Sequence, residues 1–215
     1  MTQYLVSDVA KDVRIAMDSN NSSSALISVN DIDTLTLDEI IKSKIEEAAY
    51  IITRDAPIYL LETGQNFTDS YVSQTSGTKN WGYTSLPADF LRLICFQMAD
   101  WVKPASIIID EYSPLYAQQK SPFAGIGGNP HEPVVAITQW PIGLVLEFFS
   151  CGSTNTAITK AQCVRIPKIE ADYIQISPKL YKAVIYYTAF LASATVGDTE
   201  QAKNLMDLSL SMIKK

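Results

Sequence analysis

The stretch SPKLYKAVIYYTAFLASATVGDTEQAKNLMDLSLSMI, residues 177–213, decides the reading of the fold. Ser177 is placed to cap a helix, and Pro178 suits a first turn, where a missing N–H costs nothing. Leu180, Ala183, Val184, Tyr187, Phe190, Leu191 and Ala194 follow at helical spacing and mark a wide apolar face. Gly197 is suited to stop this helix in a left-handed conformation. Asp198 then caps a second helix, with Gln201 three places on completing a box. Ala202, Leu205, Met206, Leu208 and Met212 give that helix its apolar side. The link of Val196, Gly197 and Asp198 is short, so the two helices are expected to lie antiparallel. Neither can bury its apolar face alone.

Working outward, the partners for those faces are sought at the other end of the chain. Residues 4–17 read as a helix, with Leu5, Val9, Val13 and Ala16 on one side. Residues 18–30 form a polar break rich in Ser and Asn, the composition of a loop or linker. Thr36 and Glu39 then form a capping box. Leu37, Ile40, Ile41, Ile45, Ala48, Ala49 and Ile52 follow at helical spacing, and Pro57 marks the end. Between residues 64 and 168 the pattern changes. Gly and Pro punctuate short runs of β-branched and aromatic residues, and residues 91–96, 105–109, 134–138, 144–149 and 161–166 read as strands. Residues 117–121 read as a helical turn. The expected fold class is therefore α+β: a helical bundle formed by the N- and C-terminal helices, with an inserted antiparallel β-rich region. Residues 1–63 supply the N-terminal helices, 64–170 the insert, and 171–215 the closing hairpin.

Composition narrows the function classes. A chain of 215 residues needs neither disulfide nor metal to bury a core. Charged residues make up 19%, below the roughly 25% usual for soluble domains, which favours extensive subunit contacts. The formal net charge of −6 comes without any basic cluster, apart from the terminal Lys214-Lys215. Tight nucleic-acid binding needs such a cluster to displace counterions. An acidic surface is compatible with lining a passage through which DNA slides. Cys95, Cys151 and Cys163 are odd in number and match no zinc spacing, so they read as reduced thiols. No run approaches the ~18 apolar residues of a membrane span, and the N-terminus lacks the pattern of a signal peptide.

The search for chemistry finds no coherent catalytic set, and no cofactor or metal is expected. His131 is the only histidine and no nucleophile-elbow pattern accompanies it. Gly125-Ile126-Gly127-Gly128 lacks the Lys-Ser/Thr of a phosphate loop and runs into Asn129-Pro130, which breaks a helix instead of starting one. Asp110-Glu111 and Glu46-Glu47 are sequence neighbours that point apart, as solvated charges do. Trp81, Trp101 and Trp140 read as core or interface residues. The segment from 121 to 133 is a long loop rich in Gly and Pro, yet it carries Phe123 and Ile126 along with His131. Apolar residues in such a setting point to a contact with a neighbouring molecule, the alternative being that they fold back on their own chain.

Two segments carry a family resemblance. Ser85-Leu86-Pro87-Ala88-Asp89-Phe90-Leu91-Arg92-Leu93 is one. The other is the closing hairpin, with Tyr186-Tyr187-Thr188-Ala189-Phe190-Leu191-Ala192 followed by Gly197-Asp198-Thr199-Glu200-Gln201-Ala202. Together, and in this order, they resemble the phage head–tail connector proteins, including the tail tubular protein A type and the ring proteins of crAss-like phages. There a Leu-Pro-x-Asp-Phe/Tyr-Leu turn leads into a β region, and a helix rich in Tyr, Leu and Ala, a Gly-Asp break and a further helix close the chain. The resemblance implies a homo-oligomeric ring, commonly of twelve copies, attached below the portal protein within the virion. It implies contacts with other tail or ring proteins, DNA only as passing cargo, no membrane, no catalysis and no cofactor. The sequence stops two residues after Ile213, so the long C-terminal arm of some relatives is not expected. Two other readings stand beside it: a tail-associated interaction module outside the ring, and a small enzyme acting on glycans or other small molecules.

Overall fold

The computed structural model describes residues 2–17, 36–62, 64–68, 70–76, 79–105, 107–121, 123 and 126–214. The polar break at 18–30 lies outside the described residues, as do Pro122, Ala124 and Gly125 of the Gly/Pro loop. The chain divides into two compact units, Met1–Glu62 with Ile166–Lys215, and Thr63–Arg165.

The first unit is built on α1 (Val6–Ala16), α2 (Leu37–Asp55), α4 (Tyr181–Val196) and α5 (Thr199–Ile213). Helix α4 packs against the other three. The Thr36–Glu39 box caps α2: Thr36 N–H donates to Glu39 Oε2 (2.7 Å) and Glu39 N–H donates back to Thr36 Oγ1 (3.4 Å). Gly197 ends α4 at φ +95°, a conformation that costs glycine nothing, and Asp198 caps α5 by accepting from Gln201 N–H at 3.1 Å. Ser177 does not cap α4. Its hydroxyl donates to Leu60 O (2.8 Å), and the helix begins only at Tyr181. The buried face of α4 is also rotated from the one read in the sequence. Ala183, Val184, Ile185, Thr188, Ala189, Ala192 and Ser193 are buried, while Tyr187, Phe190 and Leu191 are half-buried and Ala194 is exposed. Small residues let helices approach closely, so Ala183, Ala189, Ala192 and Ser193 supply much of the buried face of α4, and the rings stand at its margin. Ser209 of α5 confirms the closeness of that approach, donating to Ala183 O at 2.7 Å while fully buried.

The same unit contains a sheet that the periodicity does not reveal. Strands β1 (Thr2–Leu5), β11 (Tyr173–Ile176) and β10 (Ile169–Glu170) pair antiparallel in the order β1-β11-β10. Residues 2–5 thus form a strand where residues 4–17 were expected to be one helix. Ala171 (φ 48°) and Asp172 (φ 67°) form the two-residue turn between β10 and β11. Consecutive positive φ angles match the twist of a tight hairpin. Tyr4 stacks on Tyr181 at 4.2 Å, and the Tyr181 hydroxyl donates to Asp12 (2.7 Å), tying β1 and α1 to α4.

The second unit holds two sheets. One has the order β2-β9-β5, from β2 (Gln65–Asn66), β9 (Ile158–Arg165) and β5 (Phe90–Met98). The other has the order β3-β4-β8-β7-β6, from β3 (Val72–Ser76), β4 (Lys79–Ser85), β8 (Gly143–Cys151), β7 (Val134–Trp140) and β6 (Ile107–Asp110). Leu93, Phe96, Met98 and Ala161 of the first sheet meet Val135, Leu146 and Phe148 of the second, with Trp101, in one core. The opposite face of the five-stranded sheet gathers Ile109, Val134, Ala136 and Phe149, packed against Trp81 and Tyr116. Because β8 is covered on both faces, its sequence GLVLEFFSC is apolar save for Glu147 and Ser150.

The expected fold class is corrected by this arrangement. The protein is a mixed α+β chain but a β-rich one, 34% strand, with 11 strands in three sheets against five α-helices among the described residues. It is not a helical bundle carrying an antiparallel insert. The helical unit has a sheet of its own, and β6 pairs with β7 in parallel. The physical reason is that strands such as TQYL (β1) and VSQTS (β3) carry no apolar alternation, and gain their order from cross-strand partners.

The thiols occupy this β-rich unit, and among the described residues all three are free. Burial, and then the charge of Asp100, pushes the Cys151 thiol up to about 12 from an ordinary 9.0. A raised acid favours the folded state while protonated. Its contribution is therefore whole below about pH 9 and is lost as pH rises toward about 12. At about pH 8 the native chain is expected to resist iodoacetamide at Cys151, because only the thiolate reacts. Mass spectrometry checks this: alkylation of Cys151 within minutes, without denaturant, would contradict the assignment.

Candidate functional site

The β-rich unit concentrates two unusual features around β6 and the residues just after it. The first is exposed apolar surface. Of the 17 large apolar side chains that stand exposed among the described residues, six fall within residues 107–126, a stretch under a tenth of the chain. They are Ile107, Ile108, Tyr112, Leu115, Phe123 and Ile126, with Tyr112 at 87% and Phe123 at 70% the most open. Single exposed apolar residues are ordinary, whereas a concentration of them marks a contact surface.

The local sequence explains how the segment is held. Asp110 ends β6 and turns the chain. Its carboxylate accepts from Tyr112 N–H (2.9 Å) and its carbonyl from Ser113 N–H (3.2 Å). Ser113 caps α3 (Pro114–Gln119), with Pro114 in the first turn, so the short helix stays beside β6. The helical turn expected at 117–121 thus begins earlier, at its cap.

The second feature is Glu147, which lies fully buried in the middle of β8. Its Oε1 accepts three hydrogen bonds: from the Tyr116 hydroxyl (2.8 Å), the Thr138 hydroxyl (2.9 Å) and Trp140 Nε1 (3.1 Å). Its Oε2 accepts none and faces Lys120 Nζ at 3.7 Å. Lys120 also sits over the Tyr116 ring, 4.4 Å from its centre. Burial raises the Tyr116 pKa, which the neighbouring ammonium opposes and the carboxylate reinforces. Desolvation pulls the Lys120 pKa down, yet the Tyr116 hydroxyl and the Glu147 carboxylate outweigh it and hold the group above its usual value. A carboxylate saturated on one oxygen and paired with a cation on the other is a fastener. It clamps α3 to the sheet from beneath.

No protein-family model matches the chain, and no curated protein matches it.

The predicted contact residues are placed as follows. Phe123, Ile126 and His131 are all exposed. The half of the loop that carries His131 is fastened down. Gly127 turns at φ +93°, and Gly128 N–H donates to the buried Gln119 side chain at 2.7 Å. A Cβ at Gly128 would lie 2.3 Å from Ser150 Oγ, so only glycine lets the loop approach β8 this closely. Asn129 and Glu132 form an isolated bridge, and the Asn129 side chain accepts from His131 N–H at 2.9 Å. The stretch from Gly127 to Glu132 is thus anchored to Gln119 of α3. Among the described residues no group of three or more His, Cys, Asp or Glu side chains is placed to hold a metal ion. No helix among them is long and apolar enough to cross a membrane.

Among the carboxylates, Asp110-Glu111 and Glu46-Glu47 stand out in the sequence as pairs, whereas Glu147 stands alone. A signal was present, since a lone charge inside the apolar run GLVLEFFSC has to be paired. Ile107 and Ile108 look in the sequence like ordinary strand residues, and only their place at the sheet edge exposes them.

Proposed function

We propose that the protein is a structural assembly module, a subunit of a connector ring joining the portal of a phage head to its tail. The observation that carries an assembly role is the set of exposed apolar side chains Ile107, Ile108, Tyr112, Leu115, Phe123 and Ile126, of which those on β6 and α3 are held at the border of a sheet by the Asp110 turn and the Glu147 fastener. Pre-ordering a contact surface lowers the entropy lost on association. The virion setting, the ring of about twelve copies and the portal and tail partners are carried by the resemblance of residues 85–93 and 177–213 to connector proteins. Ring contacts are heterologous, one surface meeting a different surface of the next copy until the rotation closes. DNA passes such a ring without specific binding, in keeping with a net charge of −6.

Light scattering and electron microscopy of the purified chain test this reading. The expected result is a closed homo-oligomer, and Phe123→Asp is expected to weaken its assembly at least tenfold with the thermal unfolding of the chain unchanged. A burial worth roughly 1.5–3 kcal/mol per copy sets that scale. A chain that remains monomeric at all concentrations, alone and with portal, would sink the ring and leave a tail-associated module outside it.

A further inference from the structure

We infer that successive copies of this chain join by strand addition, the β6 edge of one copy pairing antiparallel with the β3 edge of the next, so that the five-stranded sheet continues from subunit to subunit. The inference rests on the assembly reading above and names the surfaces that mate.

Four observations carry it. First, β6 and β3 are the two terminal strands of one sheet, and among the described residues no strand pairs with the outer side of either. An open edge presents a row of backbone donors and acceptors to any strand that arrives. Second, three of the usual guards are missing from both edges. Strand β6 is Ile-Ile-Ile-Asp and β3 is Val-Ser-Gln-Thr-Ser, without lysine, proline or a bulge. Chains that stay apart blunt such edges. Third, the strand directions are right. Strand β6 runs parallel to β7, and β7, β8, β4 and β3 each run antiparallel to the next. Strands β6 and β3 therefore run in opposite senses within one copy. A second copy related by rotation about an axis along the strands keeps its own directions, so its β3 meets β6 antiparallel, the more stable pairing. Four residues meet five, and each added copy leaves a fresh β6 edge open, as ring growth requires.

Fourth, the faces match. Register places Val72 opposite Tyr83 and Gln74 opposite Trp81, while Ile107 lies opposite Val134 and Ile109 opposite Ala136. Trp81, Val134 and Ala136 belong to one face of the sheet. The exposed Val72 and Ile107 thus stand on the same face and come together when the sheet continues, with Ile108 falling on the face of Ser73 and Thr75.

Cysteine pairing tests this on the full chain, with Cys95→Ser as background. Singly substituted chains are mixed, Ile108→Cys with Ser73→Cys, Thr75→Cys or Gln74→Cys, and oxidised mildly. The expected result is a covalent dimer of Ile108→Cys with Ser73→Cys or Thr75→Cys, at least tenfold more abundant than with Gln74→Cys, whose side chain lies on the other face. Two acceptor positions keep the test informative if one substitution fails to fold. A dimer formed by Ile108→Cys alone means that β6 pairs with itself, which overturns the proposal. Equal yields at Gln74→Cys overturn it as well. Oligomers that persist with no cross-link in any mixture refute the strand pairing and leave the ring standing. A strictly monomeric chain removes both.

Discussion

Replacing Glu147 by alanine is expected to destabilise the β-rich unit by about 3–5 kcal/mol. The carboxylate is fully buried and is the acceptor for Tyr116, Thr138 and Trp140 at once. Its removal takes the acceptor from three donors, one buried on Thr138 and two half-buried on Tyr116 and Trp140, and a buried unsatisfied group costs on the order of 1–3 kcal/mol before relaxation. Lys120 loses its only ion-pair partner among those seen in the described residues, yet its side chain is 52% exposed and water replaces the carboxylate at little cost. The loss is therefore carried by the three hydrogen bonds and not by the salt bridge. Glu147→Gln separates the two contributions: it keeps an oxygen acceptor, so it is expected to lose less than half as much. Denaturant unfolding followed by tryptophan fluorescence measures both variants. A loss under ~1 kcal/mol for the alanine variant would show that the network is replaceable by water. The substitution also reports on function, because the fastener holds α3 beside β6. The Gln variant, folded but with a weaker clamp, is expected to assemble less tightly than the parent chain.

Phe96→Ala is the second large effect, expected at about 3–5 kcal/mol. Phe96 is fully buried in β5 and is the ring on which the two sheets of the β-rich unit meet. It lies 5.6 Å from Phe148, 5.7 Å from Trp101 and 6.4 Å from Phe67, centre to centre. Three aromatic neighbours cannot close over the space that alanine leaves, since rings are stiff and each is fixed by its own strand or turn. Trp101 is further held by donating from Nε1 to Ser150 O at 3.1 Å. The cavity term should thus be near its full value. Calorimetry of the variant checks it. A drop in the unfolding temperature no larger than that of a surface substitution would mean that the core is not organised around this ring.

Features set by neighbours a few residues apart were legible in the sequence. The box of Thr36 and Glu39 and the break at Gly197 and Asp198 stand in the structure where the residues place them, because a cap is an interaction between i and i+3. The runs that became β5, β7, β8 and β9 were visible as β-branched and aromatic clusters. The exposed Phe123 was visible as an apolar residue in a Gly/Pro loop. What the sequence could not decide is whatever depends on a partner far along the chain. Residues 2–5 carry an apolar residue at helical phase, and only pairing with Tyr173–Ile176 makes them a strand. Strand β3 has no apolar alternation, so its place in the sheet depends on β4 beside it. The buried face of α4 followed the small residues that let α2 and α5 come close, and not the larger rings that a count of hydrophobicity favours. The choice of β7 as the parallel neighbour of β6, which leaves Ile107 and Ile108 at an open edge, is likewise tertiary. Glu147 shows the division most plainly. Its place in an apolar run said that it must be paired, while Tyr116, Thr138 and Trp140 are brought to it from α3 and β7 only when the sheet forms. A short-range interaction is encoded by spacing alone. A long-range one is encoded by the fold, because the entropy of closing the chain between distant residues is offset only when many such contacts form together.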